Sequence, residues 1–113
     1  ATRFVAGFIG RANLFDTPSD DGIALEGPRA PTLLLRPERI ILDDAEPSAA
    51  NATRGTVEVV SFLGTNAQLV LRLSSGRTLL IEGPAVLADR FRPGSAATAR
   101  WRAEDLIAIP RSD

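Results

Sequence analysis

The amino-acid sequence predicts an all-β domain, a small barrel or sandwich of short antiparallel strands with a short N-terminal helix. Three observations support this fold class. Apolar and polar residues alternate in residues 57–59 and 69–74, and a period of two indicates a strand with one face in a core. Residues 74–76, Ser-Ser-Gly, separate two apolar runs as a hairpin turn does. Nine glycines and eight prolines divide the 113 residues into short segments, which is typical of all-β folds.

The same alternation predicts which side chains face the core. We expect these residues to be largely buried: Val57, Val59, Leu69, Leu71, Leu73, Leu79 and Ile81. Residues 17–22 form a dense turn cluster between two short apolar runs, so residues 12–27 should form a hairpin. Residues 83–95 are interpreted as a connector. Gly55, Gly64, Gly83 and Gly94 are candidates for the glycines that small barrels need where strands bend.

Two short segments repeat one pattern. "LRPERIIL" and "WRAEDLIAI" both join an apolar strand to another through Arg-x-Glu-x. Pro37 suits the first position of a helical turn, and Glu38 and Glu104 fall where a carboxylate meets free backbone N–H groups. We therefore predict a one-turn helix at each segment, marking a corner of the barrel. We further hypothesise that Arg36 and Glu38 hold the first corner by hydrogen bonds or ion pairs, and not by contact with a ligand.

The N-terminal segment has helical spacing. Phe4, Val5, Phe8 and Ile9 follow one face of a short helix, which Gly10 could end. A chain that opens within an amphipathic segment is interpreted as a piece of a larger protein. We expect residues 1–10 to be a linker helix and residues 11–113 to be the domain.

The amino-acid composition excludes most kinds of catalytic and metal-binding site. The chain has no cysteine and no histidine, which removes thiol catalysis, thiolate metal sites and the commonest general base. All 13 basic residues are arginine, so no lysine is available for a phosphate-binding loop. The net charge of −1 and an aromatic content of 5% argue against nucleic acid as a partner.

The remaining candidates for chemistry are weak. The adjacent acids Asp20/Asp21, Asp43/Asp44 and Glu104/Asp105 should be solvated, because adjacent acids in polar turns usually are. Trp101 could stack on a base, but an anchor in the core or an interface is favoured for a lone tryptophan.

The order of four segments nevertheless resembles a known family. "FVAGFIG", "LRPERI", "GTVEVVSFLGTNAQLVLRLSSG" and "GSAATARWRAEDLIAI" are similar to the C-terminal region of ATP-binding subunits of bacterial ABC importers. That region is the transport-associated oligonucleotide-binding-like (TOBE) domain, and the resemblance covers nearly the whole chain. The family pattern falls on these residues: Arg36, Pro37, Glu38, Gly55, Val57, Val60, Gly64 and Asn66. Ile9, Gly10 and Asn13 match a form that favours the polyamine, iron or sulfate importers over the maltose type.

The resemblance implies an OB-like fold and a regulatory, dimerising role without catalysis. ATP and Mg²⁺ would bind an ATPase domain that this chain lacks, so no cofactor is expected here. The implied partners are a second copy of the domain, the parent ATPase domain and the importer's membrane subunits, on the cytoplasmic side of the inner membrane. A sensor domain for a small molecule, either the transported solute or an oxyanion, is the alternative. The structural or interface candidates are Arg36, Pro37, Glu38, Gly55, Gly64, Asn66, Trp101, Glu104 and Asp105.

Overall fold

The computed structural model describes residues 12–17, 19–47 and 49–109. The strands are β1 (Asn13–Asp16), β2 (Ser19–Asp20), β3 (Ile23–Ala24), β4 (Thr32–Leu35), β5 (Ile41–Asp43), β6 (Ala52–Leu63), β7 (Asn66–Arg72), β8 (Thr78–Pro84), β9 (Ala96–Arg100) and β10 (Ile107–Ile109). Helix α1 spans Val86–Arg90, and two 3₁₀ turns span Pro37–Arg39 (the first corner turn) and Ala103–Asp105 (the second corner turn). The predicted linker helix at residues 1–10 lies outside the described residues.

All strand pairs are antiparallel. A five-stranded sheet has the order β5-β9-β6-β7-β8, a three-stranded sheet has the order β1-β4-β10, and β2 pairs with β3. This arrangement confirms the predicted all-β fold of short antiparallel strands. No helix in the described ranges is long and apolar enough to cross a membrane.

The core lies between the sheets. Six of the seven predicted core residues are buried: Val57, Leu69, Leu71, Leu73, Leu79 and Ile81. Phe15, Phe91 and Trp101 join them. The prediction for Val59 is wrong, because this side chain is 46% exposed. A β-bulge between Val57 and Val59 inserts one extra residue, so the alternation reverses and Val60 packs against the core instead.

The turns lie where the local sequence predicts them, but the strands do not all pair as predicted. The hairpin of β7 and β8 around residues 74–76 is confirmed. The hairpin predicted for residues 12–27 is wrong in its pairing, because β1 pairs with β4 and only the two-residue strands β2 and β3 form a hairpin. The connector predicted at residues 83–95 contains the helix α1, which was not predicted.

The two corners form one internal repeat. Both 3₁₀ turns are confirmed, with Arg39 N donating to Arg36 O and Asp105 N donating to Arg102 O, each at 3.0 Å. The strand before each turn pairs with the strand after the other: β4 with β10, and β9 with β5. The two strand–turn–strand units therefore pair along their length as one antiparallel ribbon, and each unit bends at its 3₁₀ turn.

Equivalent positions of this ribbon also share their burial. Ile40 and Leu106, which directly follow the two turns, are both buried, whereas Ile41 and Ile107 are exposed. The similarity of the two sequence segments thus reflects a local pseudo-two-fold arrangement.

Candidate functional site

The first corner is held by packing of the turn. Arg36 and Glu38 are exposed, and the turn has no side-chain capping hydrogen bond. Within the described residues neither side chain has a hydrogen bond or an ion pair, so the hypothesis that they hold the corner is wrong. Pro37 is buried instead, and the turn packs against β8. Proline suits this position because its missing N–H is not needed at the start of a turn.

The second corner places Trp101 in the core. Its ring stacks on Phe15 with the ring centroids 5.2 Å apart, and its Nε1 atom is buried without a hydrogen-bond partner among the described residues. Trp101 is thus a core anchor and does not present a surface for stacking bases. Glu104 pairs with Arg102 at 3.5 Å with both side chains largely exposed, and such a pair contributes little stability. Asp105 is half-buried.

Asn13 joins the two sheets through its side-chain amide. Its Nδ2 donates to Leu80 O at 2.9 Å, and its Oδ1 accepts from Leu80 N at 2.8 Å. Asn13 lies on β1 and Leu80 lies on β8, the edge strand of the five-stranded sheet. The amide therefore supplies the two hydrogen bonds that a neighbouring strand would make, and it links β1 to β8, which have no backbone pairing with each other in the described part of the chain.

The side-chain amide of Asn51 likewise makes two hydrogen bonds to the backbone of a distant residue, Glu26. Its Oδ1 accepts from Glu26 N at 3.0 Å, and its Nδ2 donates to Glu26 O at 2.8 Å. Its backbone donates to Ala24 O and accepts from Trp101 N. Asn51 has φ +61°, a left-handed conformation that asparagine tolerates better than most residues. One buried residue thus fixes three segments of the chain.

Arg77 ties the hairpin of β7 and β8 to the N-terminal strands. Its guanidinium donates to the Asp20 carboxylate and to Leu14 O, and it lies 4.8 Å from the centroid of the Phe15 ring. Asp20 is therefore not solvated as predicted, because its side chain is only 12% exposed and bound to Arg77.

Three acidic side chains at and just after the end of β5 are each paired with a different arginine. The pairs are Asp43–Arg100 at 2.5 Å, Asp44–Arg90 at 3.4 Å and Glu46–Arg54 at 3.7 Å. The hydrogen bond from Arg100 lowers the pKa of Asp43 below its ordinary 3.8, while partial burial opposes this shift. The Asp43–Arg100 pair is the least exposed and ties β5 to β9, whereas Asp44 and Glu46 are 70% and 83% exposed, so their pairs contribute little stability. The three pairs leave the cluster with no net charge.

An open cleft of about 440 Å³ lies beside this cluster. It is lined by Arg54, Gly55, Thr56, Arg72, Leu73, Ser74, Gly76 and Ala96. A Cβ atom on Gly55 would lie 2.6 Å from Arg72 O, so the predicted glycine is needed for close approach of the strands. Both arginines are engaged: Arg54 with Glu46, and Arg72 with Glu58 at 3.6 Å.

The hairpin of β6 and β7 carries the other predicted residues. Gly64 has φ +64° in its turn, which glycine adopts without strain. Asn66 is exposed at the start of β7, with its Nδ2 3.5 Å from the Glu82 carboxylate. Of the six exposed large apolar residues in the described part of the chain, four lie on this hairpin or at the adjoining start of α1: Val59, Phe62, Leu63 and Val86.

The predicted residues therefore do not converge on one site. They are distributed between the corners, the cleft and the hairpin. The described residues contain no group of three or more acidic side chains that could hold a metal ion. Asn51 and Arg77 had no local signal in the sequence, whereas Asn13 had one, since it belongs to the family motif that the resemblance identified.

These features define a small OB-like β domain, and comparisons with known proteins identify its family. A TOBE domain family model matches residues 33–109, from β4 to the end of β10. The chain belongs to the TOBE domain family, as the resemblance in its sequence predicted.

Two curated relatives are ATP-binding proteins of transporters. The uncharacterised ABC transporter ATP-binding protein YdcT of Escherichia coli K12 is 31% identical over 114 residues, covering 96% of this chain and 32% of the relative. The spermidine/putrescine import ATP-binding protein PotA 1 of Pseudomonas aeruginosa is 35% identical over 120 residues, covering 84% of this chain and 30% of the relative. The chain thus spans about a third of the length of these relatives.

A solved structure shares the fold. The cytoplasmic molybdate-binding protein ModG, with molybdate bound, matches with a TM-score of 0.60 and 23% identity. The match covers 70% of this chain and 61% of ModG.

Proposed function

We propose that this chain is the non-catalytic regulatory and dimerisation domain of an ABC importer ATP-binding subunit. The observation that carries the proposal is its membership of the TOBE family together with relatives that are ABC transporter ATP-binding proteins. In this proposal the parent protein hydrolyses ATP with Mg²⁺ in a separate ATPase domain. It acts at the cytoplasmic face of the inner membrane with the importer's membrane subunits.

The absence of catalysis in this chain is part of the proposal. The sequence has no phosphate-binding loop, no lysine and no histidine, so it lacks the groups that position a nucleotide phosphate or move a proton. The acidic side chains at the end of β5 and Asp20 of β2 are paired with arginines. The less exposed of these, Asp20 and Asp43, are therefore engaged in holding the fold.

The solute in this proposal is a polyamine. It is supported by the 35% identity to a protein named for spermidine and putrescine import. The motif at Ile9, Gly10 and Asn13 agrees with it, since the resemblance assigns that motif to polyamine, iron or sulfate importers. Uptake of labelled spermidine and of competing solutes by cells that express the complete importer tests this specificity. Uptake of an unrelated solute without spermidine uptake would refute it.

The domain's own role is tested on the purified 113-residue chain. Titration calorimetry with ATP and Mg²⁺ should show no binding, and analytical ultracentrifugation over a concentration series should show a monomer–dimer equilibrium. ATP turnover that survives rigorous purification would contradict the non-catalytic role. A single monomer mass at every concentration would contradict the dimerising role.

The cleft at Arg54 and Arg72 favours a second candidate, a sensor for a small anion. Its two guanidinium groups and the Ser74 hydroxyl are of the kind that bind oxyanions, and ModG, which shares the fold, is a molybdate-binding protein. An anion would have to displace Glu46 and Glu58 from these arginines. Titration with molybdate, and with an Arg72→Gln variant as the control, separates the candidates: heat that depends on Arg72 would support the sensor.

A further inference from the structure

Half of the longest strand presents an open edge. Residues Ala52–Thr56 of β6 pair with β9 on one side, and residues 56–63 pair with β7 on the other. On the β9 side, the last backbone bonds are those of Val57 with Ser95 and Gly94. Beyond Val57, residues 58–63 have no strand partner on that side among the described residues. We call this stretch the β6 edge.

The β6 edge is apolar and carries little charge. Val59, Phe62 and Leu63 are 46%, 65% and 40% exposed. Glu58 is its only charged residue, and Glu58 is paired with Arg72. Natural proteins usually protect an edge strand with charges, proline or a covering element, because unpaired backbone groups invite pairing with another chain. Within the described residues, none of these protects the stretch after Glu58.

We infer that the β6 edge is the surface on which two copies of this chain pair, antiparallel and about a two-fold axis at Ser61. This inference rests on the dimerising role proposed above and assigns it a surface. The two five-stranded sheets would then join into one continuous sheet through the edge. Such an isologous contact places the same residues on both sides of the axis.

The register follows from side-chain complementarity. With Ser61 opposite Ser61 of the second copy, Val59 faces Leu63 across the outer surface. Val60 faces Phe62 across the inner surface. Each exposed apolar residue of the edge thereby meets another apolar residue.

Charge permits the same register. Glu58 would lie opposite Gly64 of the second copy, so no like charges meet. A second copy therefore suits this edge better than a charged partner would.

The chain allows a direct test, because it contains no cysteine. In the hairpin closed by the turn at Gly64, Ser61 is paired with Gln68. Counting pairs from that two-residue turn, the backbone groups of Ser61 point towards β7. Two Ser61 residues across the edge would then form a non-hydrogen-bonded pair, whose short Cβ–Cβ distance suits a disulfide.

The experiment compares two single-cysteine variants under mild oxidation. Ser61→Cys should yield a disulfide-linked dimer on non-reducing electrophoresis. Ser74→Cys, an exposed serine in the turn between β7 and β8, should yield little. Adding Phe62→Lys to Ser61→Cys should suppress the cross-link, and in the cysteine-free chain it should weaken dimerisation about tenfold or more. Ile107→Lys, on another exposed edge strand, is the matched control and should leave dimerisation unchanged.

The outcomes separate the inference from the proposed function. A dimeric wild type whose two cysteine variants cross-link equally, or that only Ile107→Lys disrupts, would refute the β6 edge and leave the dimerising role intact. A wild type that stays monomeric up to about 1 mM, well above the range of a specific contact, would refute both. Circular dichroism of Phe62→Lys checks that the fold persists, and Ser61→Cys gives an independent result if it does not.

Discussion

Replacing Asn13 by alanine should destabilise the domain far more than one polar substitution on a strand usually does. The side chain makes two hydrogen bonds to the backbone of Leu80, at 2.8 and 2.9 Å, and is itself 5% exposed. A hydrogen bond contributes about 0.5–1.5 kcal/mol net, and a buried backbone group left without a partner costs about 1–3 kcal/mol. Leu80 is half-buried, so water can replace part of what is lost. We therefore expect a loss of about 2–3 kcal/mol in the free energy of unfolding.

Urea denaturation followed by fluorescence measures this loss. The single tryptophan, Trp101, is buried against Phe15 and reports on the core that the two sheets enclose. A loss of this size should lower the melting temperature by roughly 10–20 °C in a domain of about 100 residues. Asn13→Asp should be destabilising as well, because a carboxylate cannot donate to Leu80 O.

The matched control is Asn66→Ala. Asn66 is also a strand asparagine, but it is exposed and makes only a 3.5 Å contact with Glu82, so its replacement should change the stability by less than about 0.5 kcal/mol. If Asn13→Ala were as stable as Asn66→Ala, the amide would not be what joins β1 to β8, and the reasoning would be refuted.

Three further predictions concern the corners and the loop after β5. Ala103→Pro should be neutral or stabilising by about 0.4–1 kcal/mol, because Ala103 is equivalent to Pro37 in the other corner; a loss above 1 kcal/mol in urea denaturation would show that the corners are not equivalent. Glu38→Ala should change the stability by less than about 0.5 kcal/mol, because its side chain is exposed, and a larger loss would restore a structural role for this carboxylate. The lowered pKa of Asp43 stabilises the fold above its ordinary pKa of 3.8, and this contribution is lost as the pH falls through the lower folded-state value. Asp43→Asn should therefore flatten the dependence of the urea midpoint on pH between about 2 and 5, whereas an unchanged slope would assign the dependence to other carboxylates.

Local signals in the sequence predicted the corners and the turn between β7 and β8, because proline, glycine and alternating residues act through backbone geometry close to them. The exposure of Val59 could not be predicted in this way. A period of two gives the facing of a strand only while its register is uninterrupted, and the bulge at Glu58 interrupts it.

The pairing of strands that are distant in the sequence could not be predicted either. The turn cluster at residues 17–22 correctly indicated a reversal, but a reversal does not determine which strand becomes the neighbour. β1 pairs with β4, and Asn13 reaches β8, because these contacts depend on how the sheets pack together. Of the candidate site residues, Gly55 and Gly64 have clear structural reasons, while Arg36 and Glu38 have no interaction in the described residues.

Many of the charged side chains of the described residues are paired with one another, whereas the β6 edge has an open side. A site for a nucleotide or an acid–base reaction needs charged groups that are oriented and still available to a ligand. Here Arg54, Arg77 and Arg100 are each bound to a carboxylate, where they fasten loops to strands. The β6 edge pairs with β7 on one side but has no strand partner on its other side among the described residues, and most of its side chains are apolar. Backbone pairing and apolar contact are what protein recognition by strand addition requires, and these features of the edge are the basis of the association proposed above.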